Sequence, residues 1–148
     1  MRAALDTNVL AYAEGINGLA MQRKAWELIA RLPSTIAVLP VQVLGELFNV
    51  LTRKAKRTRA DASLAVQRWA DAFPVADTSA SSFLTAIDLS VAHDLSIWDA
   101  VIMSVASEAD CRLLLTQDLH NGLNWGGVTV VDPFTEPAHE LLGYLLDE

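Results

Sequence analysis

The fold is indicated most directly by one segment, Ala3-Ala4-Leu5-Asp6-Thr7-Asn8, near the start of a chain of 148 residues. Its three apolar residues predict a short buried strand. The polar residues that follow predict that a helix begins at once, because Asp, Thr and Asn are preferred at helix N-termini. A strand that leads directly into a helix is typical of α/β folds, and here it places Asp6 at the carboxyl end of the strand.

The same alternation continues along the chain. Short apolar runs predict further strands at Thr35–Leu39, Arg112–Thr116 and Val128–Val131, and a weaker one at Pro74–Ala76. Between them, apolar residues recur at helical spacing, which predicts helices over about residues 19–32, 43–51, 58–73, 79–93 and 97–109. Since strands alternate with helices, we expect a mainly parallel sheet covered on both faces. No repeat or linker divides the chain, so residues 1–148 should form a single domain.

Composition sets limits on location and partners. The single cysteine, Cys111, cannot form an internal disulfide, and an acid at position 6 does not fit a secretory signal. No apolar run approaches the roughly 18 residues needed to span a bilayer, so we expect a cytoplasmic protein with no membrane partner. The net charge of -7 argues against a nucleic-acid partner, but five of the 11 basic residues lie together within residues 53–59.

Common ligand motifs are absent from the sequence. There is no glycine-rich phosphate loop of either usual type. His139-Glu140 resembles the start of a zinc motif, but Gly143 stands where the second histidine belongs. With one cysteine and three histidines, any metal must be held by oxygen ligands.

Four acids occupy positions that a solvated surface charge does not readily explain: Asp6, Glu46, Asp99 and Asp118. Asp6 and Asp118 follow predicted strands, at the edge where open α/β sheets bind ligands. Asp99 ends a Ser-x-x-Asp capping pattern, and Glu46 lies beside an apolar helical stripe where an unpaired carboxylate needs a cation or a raised pKa. The structural alternative is that Asp6, Asp99 and Asp118 only cap helices or turns.

Crossover connections in a parallel sheet can bring these four acids to one edge. Clustered carboxylates repel one another unless a divalent cation neutralises them, and Mg²⁺ or Mn²⁺ prefers such oxygen ligands. This arrangement is typical of metal-assisted phosphodiester hydrolysis.

Four neighbouring residues are candidates for supporting roles. Asn8 is a candidate donor to the scissile phosphate or a helix-start residue, and Thr116 a candidate hydrogen-bond partner of a carboxylate. Arg53, two helical turns after Glu46, is a candidate contact to the phosphate backbone of a nucleic acid or a solvated helix end. Trp98 is either a base-stacking residue or a core residue.

The order of these acids resembles the PIN-domain ribonucleases, and among them the VapC-like toxins of bacterial toxin–antitoxin pairs. The resemblance rests on four segments: Ala4–Leu10, Gly45–Leu47, Trp98–Ala100 and Leu114–Leu119. It implies a three-layer α/β/α sandwich with a four- or five-stranded sheet, Mg²⁺- or Mn²⁺-dependent cleavage of RNA, homodimers, and inhibition by a cognate antitoxin. It also implies that the acidic cluster consists of Asp6, Glu46, Asp99 and Asp118, with Asn8 as the polar residue beside the first acid.

Other classes of protein fit part of the pattern. Haloacid-dehalogenase-like phosphatases also place an Asp after the first strand, but they need a second Asp where this chain has Asn8. A receiver-like signalling domain would need a strand-end lysine, and no lysine follows Lys56. A non-catalytic interaction module with the acids as helix caps explains Glu46 least well.

Overall fold

A six-stranded sheet forms the centre of the structure, a computed structural model that describes residues 1–147. The strands are β1 (Ala3–Leu5), β2 (Ala37–Pro40), β3 (Val75–Ala76), β4 (Leu113–Leu115), β5 (Asn124–Trp125) and β6 (Val128–Val131). The helices are α1 (Thr7–Ala13), α2 (Leu19–Ala30), α3 (Val41–Arg53), α4 (Arg59–Ala72), α5 (Ala80–His93), α6 (Ile97–Glu108) and α7 (Glu140–Leu146). Each strand predicted from the sequence is present, and the helix ends lie within about two residues of the predicted ones.

The strand order is β3-β2-β1-β4-β6-β5. All neighbouring strands are parallel except β5 and β6, which confirms the mainly parallel sheet. The chain adds β2 and β3 on one side of β1 and then returns to place β4 on the other side. The order therefore reverses between β1 and β4, which is where open α/β sheets form a crevice for ligands.

The sheet has one strand more than expected, because β5 pairs with β6 in an antiparallel hairpin. The turn consists of Gly126 and Gly127, with φ of +59° and +79°. Two positive φ values suit the tight turn that matches strand twist, and glycine adopts them without strain. Ser107 Oγ also donates a hydrogen bond to the Gly126 carbonyl (2.6 Å). A Cβ at Gly126 would lie 2.7 Å from Ser107 Oγ, which is too close.

Helices cover the sheet and enclose its central strands. α1 packs on α2 and α3, α3 packs on α4, and α5 packs on α6. β1 and β4 are fully buried, as continuous apolar strands between two helical layers must be. In the described part of the chain no single helix is long and apolar enough to cross a bilayer. α5 and α6 reach that length and composition only together, across a bend of 120°.

Candidate active site

Asp6 and Asp118 approach each other at the crevice between β1 and β4. Asp6 directly follows β1, and its backbone N–H donates to the carbonyl of Leu115, the last residue of β4 (3.1 Å). Thr116 and Asp118 follow β4. The sequence prediction that strand ends would bring these residues to one edge of the sheet is therefore confirmed.

Asp6 is a buried carboxylate, only 3% exposed, with a hydrogen bond on each oxygen. Oδ1 accepts from the backbone N–H of Thr7 (2.7 Å), and Oδ2 accepts from the hydroxyl of Thr116 (2.7 Å). Burial raises the pKa of Asp6 to about 6, and the negative charges of Glu46 and Asp118 add to the rise, although both hydrogen bonds oppose it. Asp6 caps α1 as the structural alternative predicted, yet capping does not account for a charge held beside two other acids.

Thr116 joins the first acid to the last. Its hydroxyl donates to Asp6 and accepts from the Asn8 amide (2.9 Å) and the Asp118 backbone N–H (3.1 Å). Asn8 Oδ1 accepts from the backbone N–H of Gln117 (3.2 Å). Asn8 therefore uses both ends of its amide to fix the loop after β4, and Thr116 orients the Asp6 carboxylate.

Glu46 lies on α3 beside the start of α1, close enough for its charge to raise the pKa of Asp6. Its carboxylate is half-buried and accepts from the Thr7 hydroxyl (3.0 Å) and the Gln42 amide (2.6 Å). The sequence indicated that an unpaired carboxylate here would need a cation or a raised pKa, and the structure differs in that two neutral donors hold both oxygens of Glu46. Gln42 Nε2 also donates to the carbonyl of Trp98 (3.0 Å), which ties α3 to the start of α6.

Asp99 stands in the first turn of α6. Its backbone N–H donates to Ser96 Oγ (3.1 Å), so the predicted cap is confirmed. Burial raises the pKa of Asp99, the Ser96 side chain lowers it, and the charge of Asp118 raises it further. Beside it, Trp98 is 57% exposed and packs edge-on against Phe83, so Trp98 is not a core residue.

The four acids therefore lie at one edge of the sheet, where their negative charges repel one another. Asp118 interacts electrostatically with both Asp6 and Asp99, and Glu46 interacts with Asp6. The side-chain ion pairs described within residues 1–147 join Arg57 to Glu14 and Arg31 to Asp147, so neither neutralises this cluster.

The donor chemistry of the cluster fits Mg²⁺ or Mn²⁺, since carboxylate oxygens are what these ions bind. Among the described residues, however, no three acidic, histidine or cysteine side chains converge closely enough to enclose an ion. The carboxylates are held instead by Thr7, Gln42 and Thr116. Protein donors thus orient the acids before any cation arrives.

A groove of about 200 Å³ opens beside these acids, between α1 and α3. Its lining residues are Thr7, Asn8, Ala11, Tyr12, Ile16, Glu46, Val50, Lys54 and Asp118. The basic residue of this lining is Lys54, whereas Arg53 is exposed at the last position of α3. Arg57, from the same basic run, pairs with Glu14 at 2.7 Å.

Three residues of this region were not identified from the sequence: Gln42, Tyr12 and Lys54. Gln42 precedes Glu46 by four residues, so helical spacing alone places it beside Glu46. Lys54 follows Glu46 by eight residues, about two helical turns further along. Tyr12 has no comparable signal. Its hydroxyl donates to Gln117 Oε1 (2.6 Å), a contact between residues far apart in the chain.

A mainly parallel α/β sheet with acids at its switch point defines a class of α/β proteins whose members bind ligands at that edge. Within that class, the model of the PIN domain family matches residues 3–120, which is most of the chain. The protein therefore belongs to the PIN domain family, as its sequence predicted. No curated protein sequence matches it significantly.

Solved structures share this fold at low sequence identity. VapC20 of Mycobacterium tuberculosis, described as a sarcin-ricin loop cleaving toxin, is 24% identical with a TM-score of 0.66, over 78% of this chain and 91% of that one. A toxin–antitoxin complex from Klebsiella pneumoniae contains a chain that is 19% identical with a TM-score of 0.62, over 86% of this chain and 95% of that one. DNA-bound VapBC from Salmonella typhimurium gives 16% identity and a TM-score of 0.63, over 88% and 96% of the two chains.

Proposed function

We propose that this protein is a divalent-metal-dependent endoribonuclease that acts as the toxin of a toxin–antitoxin pair. One observation supports this most strongly: Asp6 is buried at the end of β1 with its pKa raised to about 6, beside the acids Glu46 and Asp118. A fold gains nothing in stability from burying a carboxylate next to two others. A site that binds a cation does gain from it.

Each residue has a role in this proposal. Asp6, Glu46, Asp99 and Asp118 would hold one or two Mg²⁺ or Mn²⁺ ions. A bound ion of this kind supplies the Lewis acid that activates water and stabilises charge on a phosphate. The chain itself contributes orientation: Thr116 and Thr7 fix the Asp6 carboxylate, while Gln42 and Thr7 fix that of Glu46. Asn8 fixes the loop that carries Asp118 through its bond to Gln117.

The structural relatives support the biological part of the proposal. VapC20 is described as a sarcin-ricin loop cleaving toxin, and the Klebsiella pneumoniae structure is described as a toxin–antitoxin complex. We infer that a cognate antitoxin binds and inhibits this chain, that the chain works in the cytoplasm as a homodimer, and that its substrate is RNA. Co-purification with the product of an adjacent reading frame would test the antitoxin, and the molar mass measured by light scattering would test the homodimer.

The two alternative classes are less consistent with the contacts. In a haloacid-dehalogenase-like phosphatase the residue at position 8 would move a proton, but Asn8 bears an amide whose two ends bond Thr116 and Gln117. In a non-catalytic module the acids would only cap helices. Capping explains part of the geometry of Asp6 and Asp99. It does not explain the position of Glu46, which lies within α3 and not at a helix start.

The direct test is cleavage of total RNA by purified protein with Mg²⁺ or Mn²⁺. We expect EDTA to abolish cleavage and Asp6→Asn to reduce it at least a hundredfold. The matched control is Asp71→Asn, the same change at an exposed acid of α4, which should cut RNA like the wild type. Cleavage that survives both EDTA and Asp6→Asn would rule out the proposed mechanism.

A further inference from the structure

The groove beside the acids has two chemically different ends. Glu46, Val50 and Lys54 line it at intervals of four residues along α3, so the acid and the ammonium-bearing residue are about 12 Å apart along the helix axis. The opposite wall comes from α1 and the loop after it, with Tyr12 and Ile16. The groove therefore has acids at one end, a cation at the other, and aromatic and apolar walls between them.

The side chains in the middle and at the basic end are available to a ligand. The Tyr12 ring is half-buried and held in place, because its hydroxyl donates to Gln117 and its ring packs against Phe134 at 5.6 Å. Within residues 1–147, the side chain of Lys54 is exposed and takes part in neither of the described ion pairs. Arg57 differs in this respect, since its guanidinium bonds both the side chain and the carbonyl of Glu14.

We propose that this groove is a nucleotide subsite for single-stranded RNA, in which Lys54 binds a phosphate other than the one being cut. The inference rests on the proposed function, because the acidic end is taken as the place of cleavage. Stacked nucleotides advance about 3.4 Å each along a strand, so about 12 Å corresponds to roughly three or four nucleotides, and Lys54 meets a different phosphate from the one at the acidic end. Tyr12 then lies where the intervening base or ribose passes, and an aromatic face is what unpaired bases stack on.

The arrangement of charge favours an RNA strand over an acidic peptide. A peptide carboxylate could pair with Lys54, but it would gain nothing from the acidic end of the groove. An RNA strand would use both ends, because a cation held by the acids would attract one phosphate and Lys54 would contact another directly.

Binding in the absence of cleavage tests the subsite separately from catalysis. A fluorescently labelled single-stranded oligoribonucleotide is titrated in EDTA against the wild type and three variants, Lys54→Met, Lys54→Arg and Lys24→Met. Lys24 is an exposed lysine of α2 that lines a different surface groove, so it controls for loss of one charge. We expect Lys54→Met to weaken binding about three- to tenfold and to flatten the slope of log affinity against log salt by about 0.7, the effect of one phosphate contact on a single strand.

The other variants and a short substrate complete the test. Lys54→Arg should restore binding to within about twofold, and Lys24→Met should change it less than twofold. With Mn²⁺, the deficit of Lys54→Met should be expressed in KM and should shrink on a dinucleoside monophosphate, which has no second phosphate. Equal losses for Lys54→Met and Lys24→Met would overturn the subsite, and so would oligoribonucleotide binding by Lys54→Met that matches the wild type. If the wild type cuts no RNA with either metal, the proposed function fails instead, while the binding data still decide the subsite.

Discussion

Replacing Asp6 by Asn should stabilise the metal-free protein at neutral pH. The pKa of Asp6 rises from 3.8 to about 6 on folding, mainly because of burial. At 1.36 kcal/mol per pKa unit, the ionised carboxylate destabilises the folded state by about 3 kcal/mol above pH 6. Asn removes that charge, but its amide nitrogen would face the Thr116 hydroxyl, which already accepts two hydrogen bonds, at a cost of about 1 kcal/mol. The net gain should be about 2 kcal/mol.

The pH dependence distinguishes this effect from general packing. Between about pH 4 and 6 the folded state binds more protons at Asp6 than the unfolded state, so wild-type stability falls as pH rises through that range. Below pH 4 Asp6 is protonated in both states and the penalty is absent. Asp6→Asn should therefore be the less stable protein at low pH, by about 1 kcal/mol, and the more stable one at pH 7.5.

Urea denaturation followed by tryptophan fluorescence, with EDTA present, measures both values. Asp71→Asn should show no such reversal, because Asp71 is exposed. At pH 7.5 the melting temperature of Asp6→Asn should exceed that of the wild type by about 4 °C. The reasoning is refuted if Asp6→Asn is destabilised equally at both pH values.

Three further outcomes follow from the same contacts. Glu46→Gln keeps an acceptor for its neighbours, so the melting temperature without metal should change by less than about 2 °C, while the stabilisation by Mn²⁺ in a thermal-shift assay should disappear. Thr116→Val removes the donor to Asp6 and leaves the Asn8 amide and the Asp118 N–H without their acceptor, so it should cost about 1–3 kcal/mol in urea denaturation, with unchanged stability arguing against the hydrogen-bond network. Arg57→Met removes the cation from Glu14 and should cost about 1 kcal/mol without lowering the cleavage rate of the folded protein, whereas a large rate loss would assign Arg57 to the substrate.

Much of the fold and half of the site geometry follow from local sequence. Ala3–Leu5 and Leu113–Leu115 are apolar throughout, so each had to be a strand buried on both faces, and the polar residues after them had to share an edge. Ser96 likewise predicted the start of α6 and with it the position of Asp99. In these cases the deciding interactions join residues close together in the chain.

The parts that were missed depend on packing between distant segments. Helical spacing places Arg53 nearly in line with Glu46, but the groove lies on the side of α3 that α1 covers, and that side includes Lys54. Only the packing of α1 against α3 determines that Lys54, and not Arg53, lines the groove. The hairpin that forms β5 was detectable in principle, because Gly126-Gly127 between Trp125 and Val128 is a recognised turn pattern.

The sheet ends on both sides in a very short strand, β3 with two residues and β5 with two. An outer strand of that length offers few unpaired backbone groups to an incoming chain, which protects the monomer from edge-to-edge aggregation. It also limits how partners can attach, since extension of the sheet by a partner strand needs a longer edge. We therefore expect an inhibitor or a second copy to be recognised mainly by side chains of helices and loops, so that its specificity can change with surface substitutions that leave the sheet unaltered.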